Sequence, residues 1–368
     1  MNEDRSVRYH RLKRRAGVAA LAWSTLFLIV LLASGAAVAL RDLLGRLTDS
    51  TPLLVCLYVG ALALLHEIGA LPLAFHSGYT IEHRYGLSRQ NRLQWLADHV
   101  KGAALGLGLG VGLALIVYAI MSRWPDWWWL IAAMAFSVLL IVFANLAPVL
   151  LLPLFFRLRP LEQPSLRDRL QELARRAGAR VVGVYRWELG QKTAKANAAL
   201  AGLGGTRRIL IADTMLEQFS EDEIEVVLAH ELAHHVHGDI WRGIVLETAL
   251  TLVGFYAAHR LLLWLGPGTG VTHVADPAGL PLLLIAAGAV SVVLMPIALA
   301  ISRAHERRAD RFALDLTRNP GAFATAMRRL GAQNLAEERP SRLVQWLFYS
   351  HPPLHERLAQ AGEWRAPA

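Results

Sequence analysis

Residues Ala278–Ile301 read AGLPLLLIAAGAVSVVLMPIALAI, 24 positions without a charged side chain, and the chain runs straight on into Ser302-Arg-Ala-His-Glu306-Arg-Arg-Ala-Asp310. A helix needs about 20 apolar residues to cross the hydrocarbon core of a bilayer. Soluble core helices of such length keep a polar face, and this block has none. It therefore reads as a membrane span, with charged chemistry beginning where the span ends. Five further blocks behave alike: Gly17–Leu40, Leu53–Phe75 (apolar apart from His66 and Glu67), Gly102–Met121, Trp127–Pro153 and Gly243–Leu265, the last interrupted by Glu247, His259 and Arg260. The fold class predicted is mostly α, a polytopic helical membrane protein of about six spans. It divides into an N-terminal membrane region 1–156, a polar part 157–242, spans five and six within 243–301, and a C-terminal polar part 302–368.

Composition agrees with this division. Of the 368 residues, 54% are hydrophobic and only 18% charged, and mean hydropathy is +0.35. Soluble domains carry about 25% charged residues, and an apolar, weakly charged chain is not a disordered one. Cys56 is the single cysteine, which excludes an intrachain disulfide framework and a cysteine-based zinc knuckle. The basic segment Arg5–Arg15 before the first apolar block resembles the start of a signal peptide. The apolar run of 24 residues is too long for one, so it is expected to remain as the first span.

The net charge of +9 raises the question of nucleic acid, and its distribution answers it. Ten Lys and Arg flank one side of the predicted spans (Arg5, Arg8, Arg11, Lys13, Arg14, Arg15, Arg84, Arg89, Arg92 and Lys101), and three flank the other (Arg41, Arg46 and Arg123). By the positive-inside rule both termini and the long polar segment are cytoplasmic, and the charge is explained by topology and anionic lipid. The lipid bilayer is the expected partner, and nucleic acid is not. Trp124 and Trp127–Trp129 at the start of the fourth span suit an interfacial aromatic belt.

The polar segment alternates helix and strand signals. Ser165-Leu-Arg-Asp168 resembles a capping box ahead of Leu166, Leu170, Leu173 and Ala177, with Gly178 as the stop. Val181–Tyr185 and Arg208–Ala212 read as strands, and Asn197–Leu203 before Gly204-Gly205 can pair with the second as a hairpin. Ser220-Glu-Asp-Glu223 is a stronger capping box, opening a helix through Ile224, Val227 and Leu228.

That helix carries His230-Glu231-Leu232-Ala233-His234. Two histidines four residues apart project from one helical face and can place two imidazole nitrogens on one zinc ion. Glu231, beside the first of them, can reach a water on that ion and act as general base. His66-Glu67 begins the same pattern but position 70 is Ala, so it fails. A catalytic zinc needs a third protein ligand, and Glu306 is the candidate, with His305 its rival. Asp310, one turn on, can fix the tautomer of a ligand histidine. In Ser350-His351-Pro352-Pro353-Leu354-His355-Glu356-Arg357, His351 can donate to an oxyanion or simply orient the helix that follows, and Arg357 is a candidate substrate contact. His235 and His237 fit supporting or surface positions better than ligand positions.

At these residues the chain resembles the integral-membrane zinc peptidases of the CAAX prenyl protease type I family, which includes the bacterial heat-shock membrane proteases. The stretches that carry the resemblance are Gly78-Tyr-Thr-Ile-Glu82-His-Arg-Tyr-Gly86-Leu, Asn145-Leu-Ala-Pro148 through Pro153-Leu-Phe155 and Pro160-Leu161, Ala196-Asn197-Ala198, His230–His234, Glu306–Asp310 and Ser350-His351-Pro352, in order across roughly 78–360. The resemblance implies a gluzincin-like α+β peptidase domain. It implies one Zn2+ held by His230, His234 and Glu306, with Glu231 as base. It also implies a polypeptide substrate held as an added strand along Asn197 and Ala198. The eukaryotic prenyl proteases have seven spans around a large intramembrane chamber. Six are read here, so neither the chamber nor prenylated substrates carry over with the resemblance. The Arg-, Ala- and Leu-rich composition suggests a bacterial inner membrane. Membrane quality control is the alternative role. A catalytically silent protein with a structural zinc, closed by His237, Asp239 or His351, is the alternative class.

Overall fold

A computed structural model describes residues 4–202 and 207–366, apart from the side chains of 144, 145 and 147–150. The Asn145 and Pro148 side chains and the Gly204-Gly205 turn of the sequence reading lie outside the described residues. The first helix, α1 (Arg5–Ala33), begins in the basic segment, where the Asp4 carboxylate caps the backbone N–H of Ser6. It ends earlier than the apolar block. Gly35 takes a φ of +73°, which glycine adopts without strain, and the chain turns into α2 (Ala36–Gly45). The expected first span 17–40 is therefore a helix end followed by a separate short helix.

Next come α3 (Thr51–Phe75), a wide π-helical turn at His76–Ile81, and α4 (Glu82–Arg84). Gly69 lets α1 and α3 touch: a Cβ there would sit 2.0 Å from the Trp23 ring. The His66-Glu67 pair serves helix packing, since His66 meets Ser24 at 2.9 Å and Glu67 meets His99 at 2.6 Å. A reciprocal box between Asn91 and Gln94 starts α5 (Arg92–Arg123). Helix α6 (Trp128–Leu150) buries Trp128, whose indole N–H donates to His259, and a single turn, α7 (Leu152–Phe155), leads out of it.

The polar part holds a four-stranded sheet in the order β1 (Leu158–Pro160), β2 (Gly183–Trp187), β4 (Arg208–Ala212), β3 (Ala198–Ala201). Its β2–β4 pairing is parallel and the other two are antiparallel, with Ala198 opposite Ile211. The expected hairpin partner is present as β3. The first predicted strand lies two residues later than read, at Gly183–Trp187. Helix α8 (Pro164–Arg176) starts from Gln163 with Pro164 in its first turn, so Ser165 is inside the helix rather than its cap. Past the short α9 (Asp213–Leu216) comes α10 (Glu221–Val236), capped by Ser220 as expected.

Two long helices follow, α11 (Asp239–Leu265) and α12 (Leu280–Thr317). The second runs without interruption from the apolar block through Glu306 and Asp310. The chain closes with α13 (Pro320–Gln333), α14 (Arg342–Phe348) and α15 (Leu354–Glu363).

Among the described residues, five helical stretches are long and apolar enough to cross a membrane: Arg5–Ala33, Thr51–Arg84, Arg92–Arg123, Asp239–Leu265 and Pro277–Thr317. They leave large apolar side chains such as Leu64, Val245 and Val293 about two-thirds or more exposed, as lipid-facing surfaces do. A small core joins α3, α5, α6, α11 and α12 through Val55, Tyr118, Trp128, Leu262 and Leu282. A larger one fills the polar part, where Leu166, Leu170 and Leu173 of α8 pack with β2, β4, α10 and α13. Replacing Leu170, which has 0% exposure, by Ala is expected to cost about 2–5 kcal/mol. The same change at exposed Leu64 should cost no more than about 0.5 kcal/mol, and denaturant unfolding of the solubilised protein compares the two.

Candidate metal centre

The site is built on α10. Ser220 accepts from the Glu223 N–H at 3.3 Å while Glu223 accepts from the Ser220 N–H at 2.8 Å, and Glu221, Asp222 and Glu223 complement the positive end of the helix. Ile224 and Leu228 fasten the helix to the sheet core. His230 and His234, one turn apart, then face α12. His230 Nε2 lies 3.2 Å from Glu306 Oε2, and His234 Nε2 lies 3.5 Å from Glu306 Oε1. The three ligand atoms fall within 4.8 Å of one another.

This spacing suits a metal ion. Tetrahedral bonds of about 2.0–2.1 Å leave ligands roughly 3.3–3.5 Å apart. Glu306 Oε2 is buried without a hydrogen-bond partner, as a carboxylate oxygen reserved for a cation would be. The pocket also favours positive charge. Burial alone would lower the His230 pKa, but Asp310 and Glu306 outweigh it and raise it to about 9.

Both histidines are oriented from behind. His230 Nδ1 is 2.8 Å from Asp310 Oδ1, and His234 Nδ1 is 2.9 Å from Asp239 Oδ2. A carboxylate on Nδ1 holds the proton there and leaves Nε2 as the ligand atom. Each carboxylate is in turn held by a guanidinium. Arg357 donates to Asp310 through Nε at 2.8 Å and Nη2 at 2.5 Å, and Arg308 pairs with Asp239. The two ligands thus have matching supports, Arg357–Asp310–His230 and Arg308–Asp239–His234.

These contacts revise three parts of the sequence reading. Arg357, expected at the substrate, spends its Nε and Nη2 on buried Asp310 and stands behind His230. His305, the rival ligand, lies 3.7 Å from Asp239 rather than in the centre. Asp239, offered as a fourth ligand of a closed site, instead contacts the far nitrogen of His234. The signal for its placement was Gly238: a φ of +68° there reverses the chain so that the first residue of α11 turns back onto the end of α10.

The remaining residues fall around this centre. Loss of hydration on burial raises the Glu231 pKa, His230 and His234 acting against the shift. Among the described residues nothing hydrogen-bonds that carboxylate, so it is uncommitted. His351 reaches within 3.4 Å of Glu306 Oε1, and its Nδ1 meets Ser350 Oγ at 2.8 Å. Asn197 is exposed and Ala198 is buried at the start of β3, the outermost strand, and His235 touches that strand at the Leu200 carbonyl, 3.4 Å away. His237 stacks edge-on against Phe312, away from the centre. Just upstream of β3, Lys195 meets buried Glu82 at 3.0 Å. Lys13 and the Tyr9 hydroxyl meet the same carboxylate, so the Gly78–Leu87 stretch ties α1 to the loop that enters β3.

Two family models together span nearly the whole chain: "Peptidase family M48" matches residues 160–365, and "CAAX prenyl protease N-terminal, five membrane helices" matches residues 2–157. The chain belongs to peptidase family M48. The curated relatives of this M48 peptidase include an uncharacterized metalloprotease of Bacillus subtilis, 30% identical over 83% of this chain and 72% of that one. They also include CAAX prenyl protease 1 of Saccharomyces cerevisiae, 27% identical over 82% and 70%. A protease HtpX homolog of Streptococcus gordonii is 29% identical over 54% of this chain and 72% of its own. Among solved structures, S. mikatae Ste24p superposes with a TM-score of 0.87 at 22% identity, covering 98% of this chain and 88% of that one, so the fold is shared. The M48 peptidase is embedded in a membrane through its apolar helices and the N-terminal family region.

The paired supports carry a direct expectation. Asp239→Asn should weaken metal affinity about 10–100-fold, as loss of a carboxylate behind a ligand histidine does. Competition with a chelator measures it, and unchanged affinity would remove Asp239 from this role.

Proposed function

We propose that this M48 peptidase is a zinc-dependent endopeptidase that cleaves membrane-attached or lipid-adjacent polypeptides at the cytoplasmic face of a bacterial inner membrane. One observation carries the substrate class. Glu306 lies five residues beyond Ile301, the last residue of the uncharged run, on the same unbroken helix. At 1.5 Å per residue the metal centre stands about 8 Å from the apolar boundary. A polypeptide anchored in or lying along the bilayer reaches such a site; one held deep in solution does not. The excess of basic residues beside the N-terminus and after the second span supports the cytoplasmic orientation.

His230, His234 and Glu306 would hold Zn2+, which when bound supplies a Lewis acid for the scissile carbonyl and acidifies water. The protein's own groups do the rest. The substrate would lie extended along β3, pairing with its open edge at Asn197 and Ala198. Glu231 takes a proton from the attacking water and delivers it to the leaving amine, which suits a carboxylate with a raised pKa and no other partner. His351, which approaches Glu306 Oε1, would donate to the oxyanion of the tetrahedral intermediate. Asp310 and Asp239 keep both ligand imidazoles in one tautomer.

The match to CAAX prenyl protease 1 over 82% of the chain favours this reading over a quality-control protease of the HtpX kind, whose relative matches 54% of the chain. A closed structural zinc is disfavoured by the placement of Asp239 and by the uncommitted Glu231 carboxylate. Purified Glu231→Gln should retain its metal and lose about 10²–10⁴ in peptide cleavage rate. Wild-type cleavage by that variant would refute the assignment. Comparing the membrane peptidomes of cells carrying wild type and Glu231→Gln would identify the substrates.

A further inference from the structure

The open edge of β3 is shorter than the strand itself. The Ala212 N–H donates to the Asn197 carbonyl at 3.0 Å, and the Thr214 hydroxyl donates to the Lys195 carbonyl at 2.8 Å. Residues 195 and 197 thus turn their carbonyls inward, toward β4 and α9. The alternation of an antiparallel pair then turns Ala196, Ala198 and Leu200 outward. Two of those three outward carbonyls are already engaged. Asn334 Nδ2 donates to the Ala196 carbonyl at 3.4 Å, and His235 Nε2 meets the Leu200 carbonyl at 3.4 Å. Farther upstream, backbone closes the edge: the Ala194 N–H donates to the Leu87 carbonyl at 3.1 Å, and the Arg89 N–H donates to the Lys192 carbonyl at 2.9 Å. Among the described residues, Ala198 alone of the three keeps both its outward N–H and its outward C=O without a partner.

Asn334 does more than stop the edge. Its Oδ1 is buried and has no hydrogen-bond partner among the described residues. An amide oxygen left so is costly unless something arrives to donate to it. The residue is also held firmly. It caps the C-terminal end of α13, its N–H donating to the Leu330 carbonyl at 2.9 Å. Leu335, next in the chain, takes a φ of +52°, a left-handed turn that glycine more often supplies. His10 of α1 donates to the Leu335 carbonyl at 2.8 Å, and the Leu335 side chain packs with Tyr9, Tyr85 and Leu87. A strained residue persists only where its surroundings hold it. Here the membrane-side cluster that holds Leu335 also contains Leu87, which closes the edge upstream.

We infer that Asn334 is a substrate-positioning residue. Its Nδ2 occupies the Ala196 carbonyl, and its Oδ1 accepts the substrate backbone N–H that this carbonyl would otherwise receive. This rests on the strand-addition reading given above. The substrate residue facing Ala198 pairs with it through both backbone groups. The substrate residue facing Ala196, two positions away, gives its N–H to the Asn334 side chain instead of to a strand. Pairing therefore ends at Asn334, and the register of the peptide across the metal centre is fixed there.

The test is an N-methyl scan. The probe is a lipid-anchored, quenched-fluorescent peptide drawn from a synthetic library by Glu231-dependent cleavage, with the full-length protein in nanodiscs. Wild type should show two sensitive amides two residues apart. N-methylation of the one facing Asn334 should lower kcat/KM about tenfold, the loss of one hydrogen bond to a buried acceptor. Asn334→Leu should raise KM about tenfold with kcat unchanged. In that variant the same N-methylation should cost nothing further, while the amide facing Ala198 should stay sensitive. Asn334→Ala should repeat the result if leucine disturbs the end of α13, and zinc content should equal wild type in both. Additive losses from the variant and the N-methyl group, or a KM unaffected by both variants, would overturn the role of Asn334 and leave strand pairing standing. Cleavage indifferent to N-methylation at every position would overturn strand pairing itself, and the inference with it.

Discussion

The metal centre exists because α12 does not stop at the edge of its apolar run. The same helix that carries the uncharged block continues through Glu306 and Asp310, and it packs against α10 and α11 over its length. Glu306 therefore cannot shift relative to the spans without breaking a continuous helix. Its distance from the bilayer boundary is set by the helical rise alone. The two histidines come from a helix anchored in the core of the polar part, so the site is the joint between that core and the one that α12 shares with α3, α5, α6 and α11.

Buried charge makes that joint specific. Asp310 is fully buried and Arg357 partly so, and a pair of this kind is retained at a cost in desolvation. The cost is offset here because Asp310 also holds His230, and because the pair draws α15 onto α12. The second support differs in character: Asp239 sits at a helix start and Arg308 on the half-exposed flank of α12. His230 is accordingly the more rigidly placed ligand, and His234, with more of its side chain in reach of solvent, is the looser one. On the membrane side, Glu82 works in the same way, gathering α1 and the loop into β3 around one carboxylate.

Sequence periodicity and charge located the apolar helices, the α10 cap, β4 and the cluster His230, His234, Glu306 and Asp310, since these depend on local pattern or on a motif with fixed helical spacing. Three features lay beyond it for physical reasons. The break at Ser34-Gly35 leaves hydropathy unchanged and shows only in backbone conformation. The Asp239 contact depends on a left-handed glycine that folds the next residue back, which the sequence permits but does not demand. Arg357 was visible as a charge in a motif, but its partner lies 47 positions away on another helix, and only tertiary packing decides that it faces Asp310 rather than substrate.

The central claim is that Glu306 shares one metal ion with His230 and His234. X-ray absorption at the zinc edge of the purified, zinc-loaded protein tests it most directly. The account predicts two imidazole nitrogens and oxygen donors, with Glu306→Ala losing the carboxylate contribution and most of the bound zinc. A first shell unchanged by Glu306→Ala, with full zinc content, would contradict it.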